Sequence, residues 1–512
     1  MEDQITVPSI AYSALAPLLI VFGAAVVGVL VESFAPAHRR RGLNIAVSVV
    51  GLLGALVAVV LLAGTHTLTI SDALAIDGPT LFLQGVLAVL GLTGVLLISE
   101  QSLDSSGGSV VASAATLPGT RDDVALAEST QVQTEVYPLA LFSIGGMMLF
   151  PAANDLITLF IALEVLSLPL YLMAGLARRR RLLSQEAAVK YFLLGSFSSA
   201  FFLYGVTLLY GYAGGTLLGD VRAATAVAGS NELLLFLGLG MLAVGLLFKI
   251  GAVPFHAWTP DVYQGSPTPV TALMAACTKI AAFGALLRVM YVAFGGTQWD
   301  WRPVFWAVAI VTMVAGAVLA VTQTDVKRML AYSSVAHTGF ILIGVIALGD
   351  RGLSATLFYL LAYGFTTLAS FAVVTLVRDA SGEATHLARW AGLGRKSPLV
   401  AGTFAFLLFA LAGIPLTSGF MAKFSVFAAG VEGGATALVV VGVVTSAVTA
   451  FFYARVVVLM FFTDPPVDGP TVAVPSGYTA GAIALGLAVT VVLGVLPQPA
   501  LDLAESAGLF VR

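Results

Sequence analysis

Apolar residues occupy most of this sequence in long blocks that are separated by short polar segments. The hydrocarbon core of a bilayer requires about 20 consecutive apolar residues per helix. On that rule the pattern predicts an all-α polytopic membrane protein with fourteen spans. The predicted spans lie near residues 8–34, 43–64, 79–99, 135–151, 154–177, 186–213, 231–255, 268–295, 303–323, 326–348, 353–377, 398–428, 435–462 and 476–496.

The composition indicates that lipid is the main solvent of the chain. Of its 512 residues, 59% are hydrophobic and 10% are charged, and the mean hydropathy is +1.00. A soluble domain carries roughly a quarter charged residues, so too few polar side chains remain here to cover a globule in water. The net charge of -3 gives no indication of a nucleic-acid partner. The single cysteine, Cys277, excludes an intrachain disulfide framework and a cysteine-ligated iron–sulfur cluster built by this chain alone.

The distribution of basic residues among the loops supports this count of spans. Loops that leave odd-numbered spans contain fourteen lysines and arginines, whereas loops that leave even-numbered spans contain three. By the positive-inside rule the basic loops are cytoplasmic. Both termini are therefore predicted on the periplasmic or exterior side of a bacterial plasma membrane. The one sizeable polar insertion, residues 100–134, is predicted to be a mobile loop rather than a domain.

Four of the six lysines lie within or beside apolar runs: Lys190, Lys249, Lys279 and Lys423. A lysine at the centre of a spanning helix costs about 2.5–3.5 kcal/mol. Burial favours neutral lysine whereas arginine stays charged, so lysines in spans with arginines in loops are typical of proton transfer. In the alternative interpretation each lysine extends to the lipid headgroups. That fits Lys190 best, because it lies only a few residues past a loop.

Three further ionisable residues lie in or beside the spans. Glu164, in the fifth span, is either a structural hydrogen-bond partner or the counter-ion of a lysine, and Lys190 on the next span is the expected partner. His337, in the tenth span, lies between lysine-bearing spans and either relays protons or packs in the bundle. His256 follows Lys249 beside a proline. No His, Cys or Asp cluster has metal-ligand spacing, and no phosphate-binding loop or nucleophile motif occurs.

Prolines interrupt two of the lysine-bearing spans. Pro254 follows Lys249 in the seventh span, and Pro415 precedes Lys423 in the twelfth. Proline removes a backbone donor, so both spans are predicted to break, with simple bending as the alternative. Broken spans in corresponding positions mark transporters built from two inverted repeats, here of five helices each. The predicted segments are 1–99 (three N-terminal helices), 100–134 (the polar loop), 135–295 (first repeat, spans 4–8), 303–462 (second repeat, spans 9–13) and 476–512 (last helix and tail).

Five sequence blocks resemble the antiporter-like subunits of proton-pumping NADH:quinone oxidoreductase, respiratory complex I. They lie between about residues 135 and 460 and read ALEVLSLPLYLMAG, EAAVKYFLLGSFSSAFFLYG, FKIGAVPFHAWTPDVYQGSPTPVTALMAACTKIAAF, TQTDVKRMLAYSSVAHTGFILIG and AGIPLTSGFMAKF. The Mrp-type cation antiporters share the PFHAW-type block. The N-type branch is the most similar, because Lys423 stands where M-type subunits have glutamate and the long C-terminal lateral helix of L-type subunits is lacking. The polar segment 100–134 departs from the usual pattern.

The resemblance implies a role for each charge in the spans. Glu164 matches the family's span-five glutamate, and Lys190 matches a span-six lysine. Lys249 matches the lysine of span seven, Lys279 the relay lysine of span eight, and Lys423 the terminal lysine of span twelve. Glu164 and Lys249 are expected to form the switch through which charge in a neighbouring subunit changes lysine protonation.

The resemblance also implies the setting in which these residues act. His256 and His337 match connecting positions of a hydrated polar axis. The chain is expected to be a non-redox subunit of the translocase, not catalytic alone and without a cofactor, with FMN, iron–sulfur clusters and quinone in other subunits. The expected partners are other membrane subunits, including neighbouring antiporter-like subunits, and the lipid bilayer, with no nucleic acid. The alternatives are an Mrp-type cation/proton antiporter subunit and a non-conducting membrane scaffold.

Overall fold

Helices dominate the computed structural model, which describes residues 10–103, 108–110, 117, 119–128, 133–227, 231–379, 382–466 and 469–511. The α-helices are α1 (Ala16–Phe34), α2 (Ala37–Leu61), α3 (Gly78–Ile98), α4 (Arg121–Glu128), α5 (Val136–Leu149), α6 (Leu156–Ala174), α7 (Arg181–Ala213), α8 (Leu218–Thr225), α9 (Glu232–Ile250), α10 (Trp258–Gly265), α11 (Thr268–Leu273), α12 (Lys279–Arg288), α13 (Gln298–Val321), α14 (Val326–Ala347), α15 (Gly349–Val374), α16 (Leu393–Lys396), α17 (Pro398–Ala412), α18 (Ser418–Glu432), α19 (Thr436–Phe462), α20 (Gly477–Val495) and α21 (Gln498–Ser506).

Shorter elements connect these helices. Three 3-10 helices and two π-helical segments occur among the described residues, at Phe150–Ala152, Gly295–Thr297 and Leu387–Trp390, and at Met274–Thr278 and Val289–Ala293. The strands are β1 (Thr67–Thr69), β2 (Leu74–Ile76), β3 (Val377–Asp379), β4 (Gly382–Glu383) and β5 (Thr471–Val472). β1 and β2 pair antiparallel, and β3 pairs antiparallel with both β4 and β5. These small sheets connect the ends of helices and leave the fold all-α.

The predicted spans all contain a helix. Within the described residues twelve helices are long and apolar enough to cross a bilayer, and two shorter apolar helices, Val136–Ala152 and Pro398–Ala412, complete the set. On the outer helix α2 the side chains of Val57, Val60 and Leu61 are exposed, as expected for contact with lipid. The prediction of an all-α polytopic membrane protein with fourteen spans is confirmed.

Three spans form the buried centre of the bundle. The continuous helical segment Thr268–Ala293, which contains α11 and α12, is buried along its whole length. α14 and α15 are almost as deeply buried, whereas α1, α7 and α19 expose most of their surface. Polar side chains on the three central spans are therefore shielded from lipid by the surrounding helices.

Both predicted breaks are present, and each is built in the same way. α9 ends at Ile250, and Gly251 follows in the left-handed region with φ +74°. α17 ends at Ala412, and Gly413 has φ +85°. Glycine ends a helix in this conformation without the steric cost that a Cβ atom would impose. The chain then runs irregularly through a proline before α10 or α18 begins.

The predicted segment boundaries coincide only in part with described elements. Within residues 100–134 the structure contains the eight-residue helix α4 and a β-bridge between Val110 and Ala177. The rest of the mobile-loop prediction, at 104–107, 111–116, 118 and 129–132, lies outside the described residues. The division into two five-helix repeats at 135–295 and 303–462 stays a prediction.

Candidate proton-relay site

Lys249 lies in the last turn of α9 and is buried. Its Nζ donates to Ser167 Oγ at 2.7 Å and to the Tyr191 hydroxyl at 3.3 Å. The same Nζ lies 5.9 Å and 5.4 Å from the ring centroids of Tyr171 and Tyr191. Among the described residues no carboxylate lies within 4.0 Å of this ammonium. Hydroxyls and aromatic faces hold the lysine without a fixed counter-ion, so it can lose its proton without leaving a buried carboxylate unpaired.

Glu164 lies half-buried on α6, and its carboxylate accepts a short hydrogen bond from the Ser199 hydroxyl of α7. Ser167, the partner of Lys249, follows Glu164 by three residues on the same helix. Residues three apart on a helix share a face, so Glu164 and Lys249 are neighbours through α6 without forming a direct ion pair. This placement lets a change of charge at Glu164 act on Lys249 electrostatically.

The predicted pairing of Glu164 with Lys190 is wrong. Lys190 Nζ lies 2.6 Å from Glu186 Oε1 and 2.7 Å from Asp261 Oδ2, and its side chain is 41% exposed. The reason is the register of α7: Ser199, which reaches Glu164, lies nine residues after Lys190, or about 13.5 Å along the helix axis. Lys190 is therefore a partly exposed member of an ion-pair cluster and is not part of the deeply buried site.

Lys279 is the first residue of α12, directly after the π-helical segment Met274–Thr278. Its buried Nζ donates to the Ser334 carbonyl and to Thr338 Oγ1, both at 2.5 Å. The Thr338 hydroxyl in turn donates to the Ile250 carbonyl at 2.7 Å, one residue beyond Lys249. Local π-helix recurs at functional sites because it shifts the side chains that follow by one position around the helix. Thr338 thus links Lys279 to the break that follows Lys249.

His337 lies fully inside the bundle on α14. Its Nδ1 is 2.7 Å from the Tyr359 hydroxyl of α15. The ring of Tyr363 lies close to both His337 and Lys279, since its centroid is 5.2 Å from the imidazole and 5.4 Å from Lys279 Nζ. The tyrosine hydroxyl also donates to Ser334 Oγ at 2.8 Å. One aromatic ring therefore contacts both ionisable groups.

Lys423 is buried in the second turn of α18, after the break in the twelfth span. Its Nζ donates to the Ala412 carbonyl at 2.7 Å and to Ser446 Oγ at 2.9 Å. Ala412 ends α17, where the helix dipole is negative and favours an ammonium group. Phe340 contacts both neighbours, because its ring lies 5.8 Å from the His337 ring and 4.9 Å from Lys423 Nζ.

Together Lys249, Lys279, His337 and Lys423 form a buried polar row that crosses the centre of the bundle. Thr338, Tyr363 and Phe340 fill the intervals between its members. The row holds basic nitrogen atoms, hydroxyls and carbonyls that can bind and pass protons. The tyrosines of α15 escaped the sequence analysis, because aromatic residues in a span carry no signal that separates packing from proton transfer.

His256 stands apart from the buried polar row. It lies in the irregular segment between α9 and α10, and its ring centroid is 6.3 Å from that of Tyr332. Among the described residues it makes no hydrogen bond or ring contact with the row. The structure therefore brings together four of the seven predicted site residues directly, with Glu164 alongside them. Lys190 and His256 lie outside this group.

Lys327 is a buried lysine that the sequence analysis placed in a loop. Asp325 caps α14 by accepting the backbone N–H groups of Lys327 and Arg328, so the helix begins at Val326 and includes this lysine. The Lys327 Nζ then donates to the Ser266 carbonyl at 2.7 Å. An aspartate just before a periodic segment is a helix-start signal and would have identified this arrangement.

The sequence analysis also missed a buried ion pair. Arg288 and Asp77 are fully buried and lie 2.7 Å apart, and Arg288 also donates to Thr80 Oγ1 at 2.7 Å and to the Pro151 carbonyl at 2.6 Å. The detectable signal was an arginine within the apolar run ALLRVMY. The pair joins α12 to the start of α3, and in the part of the chain that the structure describes it makes no hydrogen bond or ring contact with the buried polar row. Among the described residues no group of three His, Cys, Asp or Glu side chains could hold a metal ion.

Comparison with known sequences assigns the chain to a family. The model of the transmembrane region of the NADH:quinone oxidoreductase/Mrp antiporter family matches residues 153–449. A relative named NADH-quinone oxidoreductase subunit N from Parafrankia sp. (strain EAN1pec) is 62% identical, with 100% of this chain and 98% of the relative covered. The relative of the same name from Rhodococcus opacus (strain B4) is 60% identical, with 99% and 97% covered.

Solved structures agree with this assignment. A chain of respiratory complex I from Thermus thermophilus with bound aureothin superposes with a TM-score of 0.77 and 32% identity, with 96% of this chain and 99% of that chain covered. A chain of the Mrp complex from Dietzia sp. DQ12-45-1b has the same fold, with a TM-score of 0.80, 23% identity, and 98% and 97% covered. The match over the spans that carry the buried polar row, with relatives aligned from end to end, shows that the chain belongs to the NADH:quinone oxidoreductase/Mrp antiporter family.

Proposed function

We propose that this chain is the N-type antiporter-like subunit of a proton-pumping NADH:quinone oxidoreductase and that it conducts protons along the buried polar row. The observation that carries the proposal is the succession of contacts along the row. Thr338 joins Lys279 to the carbonyl of Ile250, the residue after Lys249. Tyr363 contacts Lys279 and His337, and Phe340 contacts His337 and Lys423. Lys249, Lys279 and Lys423 are buried and have no carboxylate partner among the described residues, an arrangement from which a purely structural bundle gains nothing. The relatives that are aligned over their full length carry the name of subunit N.

In the proposed route a proton enters one half-channel and loads Lys249. It passes to Lys279 through the Thr338 hydroxyl, then to His337, and leaves by Lys423. The two broken spans place Lys249 and Lys423 beside irregular backbone, which is tolerated at membrane depth only where it lines protein or a water-filled cavity. The prolines and glycines of the breaks thus provide the two ends of the route.

Glu164 is the proposed control element. Its half-buried carboxylate lies on the Lys249 side of the row and is held by Ser199. A positive charge that approaches Glu164 from a neighbouring subunit weakens the attraction of the carboxylate for the Lys249 ammonium and favours proton release. A charge that moves across 100 mV involves about 2.3 kcal/mol, so modest electrostatic changes suffice to redirect protons.

The redox chemistry belongs to other subunits in this proposal. FMN, iron–sulfur clusters and quinone bind elsewhere in the complex, and this chain acts as a non-redox translocase subunit. Its partners are other membrane subunits, including antiporter-like neighbours, within a bacterial plasma membrane. Both termini face the periplasm or exterior, because the basic loops then lie in the cytoplasm. Lys190 and His256 act near the route rather than in it.

The test is to replace Lys249 and Lys423 separately with alanine in the intact complex. The complex is reconstituted in proteoliposomes, and NADH-driven proton translocation and NADH:quinone reduction are measured. Each replacement removes a proton-carrying group and is expected to lower proton translocation while the complex still assembles. Lys396→Ala, at an exposed lysine outside the spans, is the matched control and keeps the wild-type rate. Assembly with unchanged pumping in both Lys249→Ala and Lys423→Ala would show that the row does not conduct.

The same preparation separates the two alternatives. A cation/proton antiporter, which the family name and the fold shared with an Mrp complex also allow, predicts sodium-dependent transport by the purified chain alone in liposomes. If the chain is a non-conducting scaffold, the lysine replacements either impair assembly of the complex or leave both assembly and proton translocation unchanged. The proposed function predicts neither of these results: transport requires NADH oxidation by the assembled complex.

A further inference from the structure

The imidazole of His337 has one nitrogen atom in a hydrogen bond and one without a partner. Nδ1 lies 2.7 Å from the Tyr359 hydroxyl. Nε2 is buried and makes no hydrogen bond to any described residue. A buried polar nitrogen without a partner is uncommon in folded proteins and calls for a functional or structural reason. In a residue proposed to relay protons, the unpaired nitrogen is the one free to exchange a proton.

The bond to Tyr359 determines which nitrogen carries the hydrogen. Tyr359 is fully buried, and among the described residues His337 Nδ1 is the one hydrogen-bond partner of its hydroxyl. A buried hydroxyl that fails to donate loses a hydrogen bond for which water offers no replacement. The phenol therefore donates to Nδ1, and neutral His337 carries its hydrogen on Nε2.

The unpaired nitrogen points away from Tyr359, because the two nitrogens lie on opposite sides of the imidazole ring and Nδ1 is bonded to the tyrosine. Phe340 packs against the same imidazole and against Lys423, with its ring 5.8 Å from the His337 ring and 4.9 Å from Lys423 Nζ. Lys423 Nζ in turn donates to the Ala412 carbonyl at the end of α17. His337 and Lys423 are therefore neighbours around one phenylalanine at the break in the twelfth span.

We propose that Tyr359 is a positioning residue that holds His337 in the tautomer with hydrogen on Nε2, directed toward the Lys423 end of the buried polar row. The inference rests on the proposed function of this row. In the transfer, the phenol turns its hydrogen away from Nδ1, Nδ1 accepts the incoming proton, and Nε2 gives its hydrogen to the Lys423 amine. One proton enters the ring and one leaves it, so the imidazole is neutral before and after but now carries its hydrogen on Nδ1. The phenol can donate only to a bare Nδ1, and this hydrogen bond favours return of the ring to the Nε2–H tautomer before the next transfer. Tyr359 keeps its own proton throughout and forms no covalent intermediate.

The test is Tyr359→Phe in the intact complex, which removes the hydroxyl and keeps the ring. Loss of one neutral hydrogen bond changes the tautomer ratio of His337 by roughly two- to tenfold. Proton translocation per NADH oxidised is expected to fall severalfold with assembly retained. Tyr453→Phe is the matched control, because this tyrosine is equally buried and its hydroxyl contacts Ser333 rather than a member of the row. It is expected to pump at the wild-type rate.

Two readouts distinguish positioning from a general structural effect. Infrared difference spectra between wild type and His337→Gln isolate the imidazole bands, and Tyr359→Phe is expected to shift them from the Nε2–H form toward the Nδ1–H form. In addition, Tyr359→Phe combined with His337→Gln is expected to pump no more slowly than His337→Gln alone, because the tyrosine acts only through the histidine. Unchanged imidazole bands, or a multiplicative loss in the double variant, would overturn the inference.

The outcomes also separate this inference from the proposed function. If His337→Gln and Lys423→Ala pump normally, the row does not conduct and the proposed function fails. If those two variants are defective but Tyr359→Phe pumps like Tyr453→Phe, the row conducts and only the role of Tyr359 is wrong.

Discussion

Lys279 Nζ lies 2.5 Å from the hydroxyl of Thr338, which donates in turn to the backbone beyond Lys249. This threonine connects Lys279 to the backbone that directly follows Lys249. Thr338→Val keeps the shape of the side chain and removes the hydroxyl, so we expect slower NADH-driven proton translocation in an assembled complex. Thr356→Val is the control, since the hydroxyl of Thr356 is buried but donates within its own helix to the Gly352 carbonyl. Equal pumping by the two variants would contradict a role for Thr338.

Lys190 is expected to contribute less to proton translocation than Lys249. Its side chain is 41% exposed and is paired with Glu186 and Asp261, whereas Lys249 is buried without a carboxylate. Partly exposed ion pairs contribute about 0–1 kcal/mol each to stability. Lys190→Ala should therefore lower proton translocation less than Lys249→Ala when both are measured in the same reconstituted complex. A larger loss of proton translocation in Lys190→Ala than in Lys249→Ala would indicate that Lys190 belongs to the proton route.

Gly413 lies in the break beside Lys423. Its replacement by alanine should slow proton translocation more than its effect on stability explains. Gly413 and Gly434 both have positive φ, at +85° and +76°, so alanine at either position costs roughly 1–2 kcal/mol. Only at Gly413 would the added Cβ meet the lysine, at 2.9 Å from Lys423 Cδ, whereas Gly434 has open space. We expect similar losses of thermal stability in the two alanine variants and slower proton translocation in Gly413→Ala alone.

The fully buried pair Arg288–Asp77 should be a strong determinant of stability. Removing one partner leaves an uncompensated buried charge, so Arg288→Met is expected to cost about 3–5 kcal/mol. The double variant with Asp77→Asn should recover part of that loss, because no unpaired charge remains. Thermal unfolding of the detergent-solubilised chain measures both. The exposed pair Arg395–Asp464 supplies the control, and Arg395→Ala should cost about 0–1 kcal/mol.

Glu100 should make stability depend on pH. Burial opposes its ionisation, but hydrogen bonds from Ser476, Ser102 and Thr479 outweigh burial and lower its pKa from 4.5 to about 2. A lowered folded-state pKa stabilises the fold fully above the unfolded value and loses that effect as pH falls toward about 2. Glu100→Gln should therefore lower the thermal midpoint at pH 7, and its difference from wild type should shrink below pH 4.5. A difference that is constant with pH would contradict this assignment.

Much of this architecture follows from the sequence because the responsible forces act locally. A run of apolar residues determines a span by its length, since every backbone group must be paired inside the bilayer. Proline removes a backbone donor and disfavours helix in the residue before it, so the breaks after Lys249 and before Lys423 could be predicted from the chain alone, although Pro169 is accommodated inside α6. Placing a charged side chain in a spanning helix is unfavourable in free energy, and for this reason the sequence also identified these lysines and Glu164 as candidate functional residues.

The partners of these residues were decided only by the tertiary structure. Which face of α7 meets α6 depends on helix rotation and register, and this gave Glu164 a serine and Lys190 two carboxylates. The cap at Asp325 places Lys327 in the first turn of α14, and packing of that turn against the segment that carries Ser266 buries the lysine. The tyrosines of α15 became neighbours of Lys279 and His337 because the three central spans pack together. Sequence therefore located the charges along the chain, and side-chain packing between distant helices, which no local pattern encodes, determined what each charge contacts.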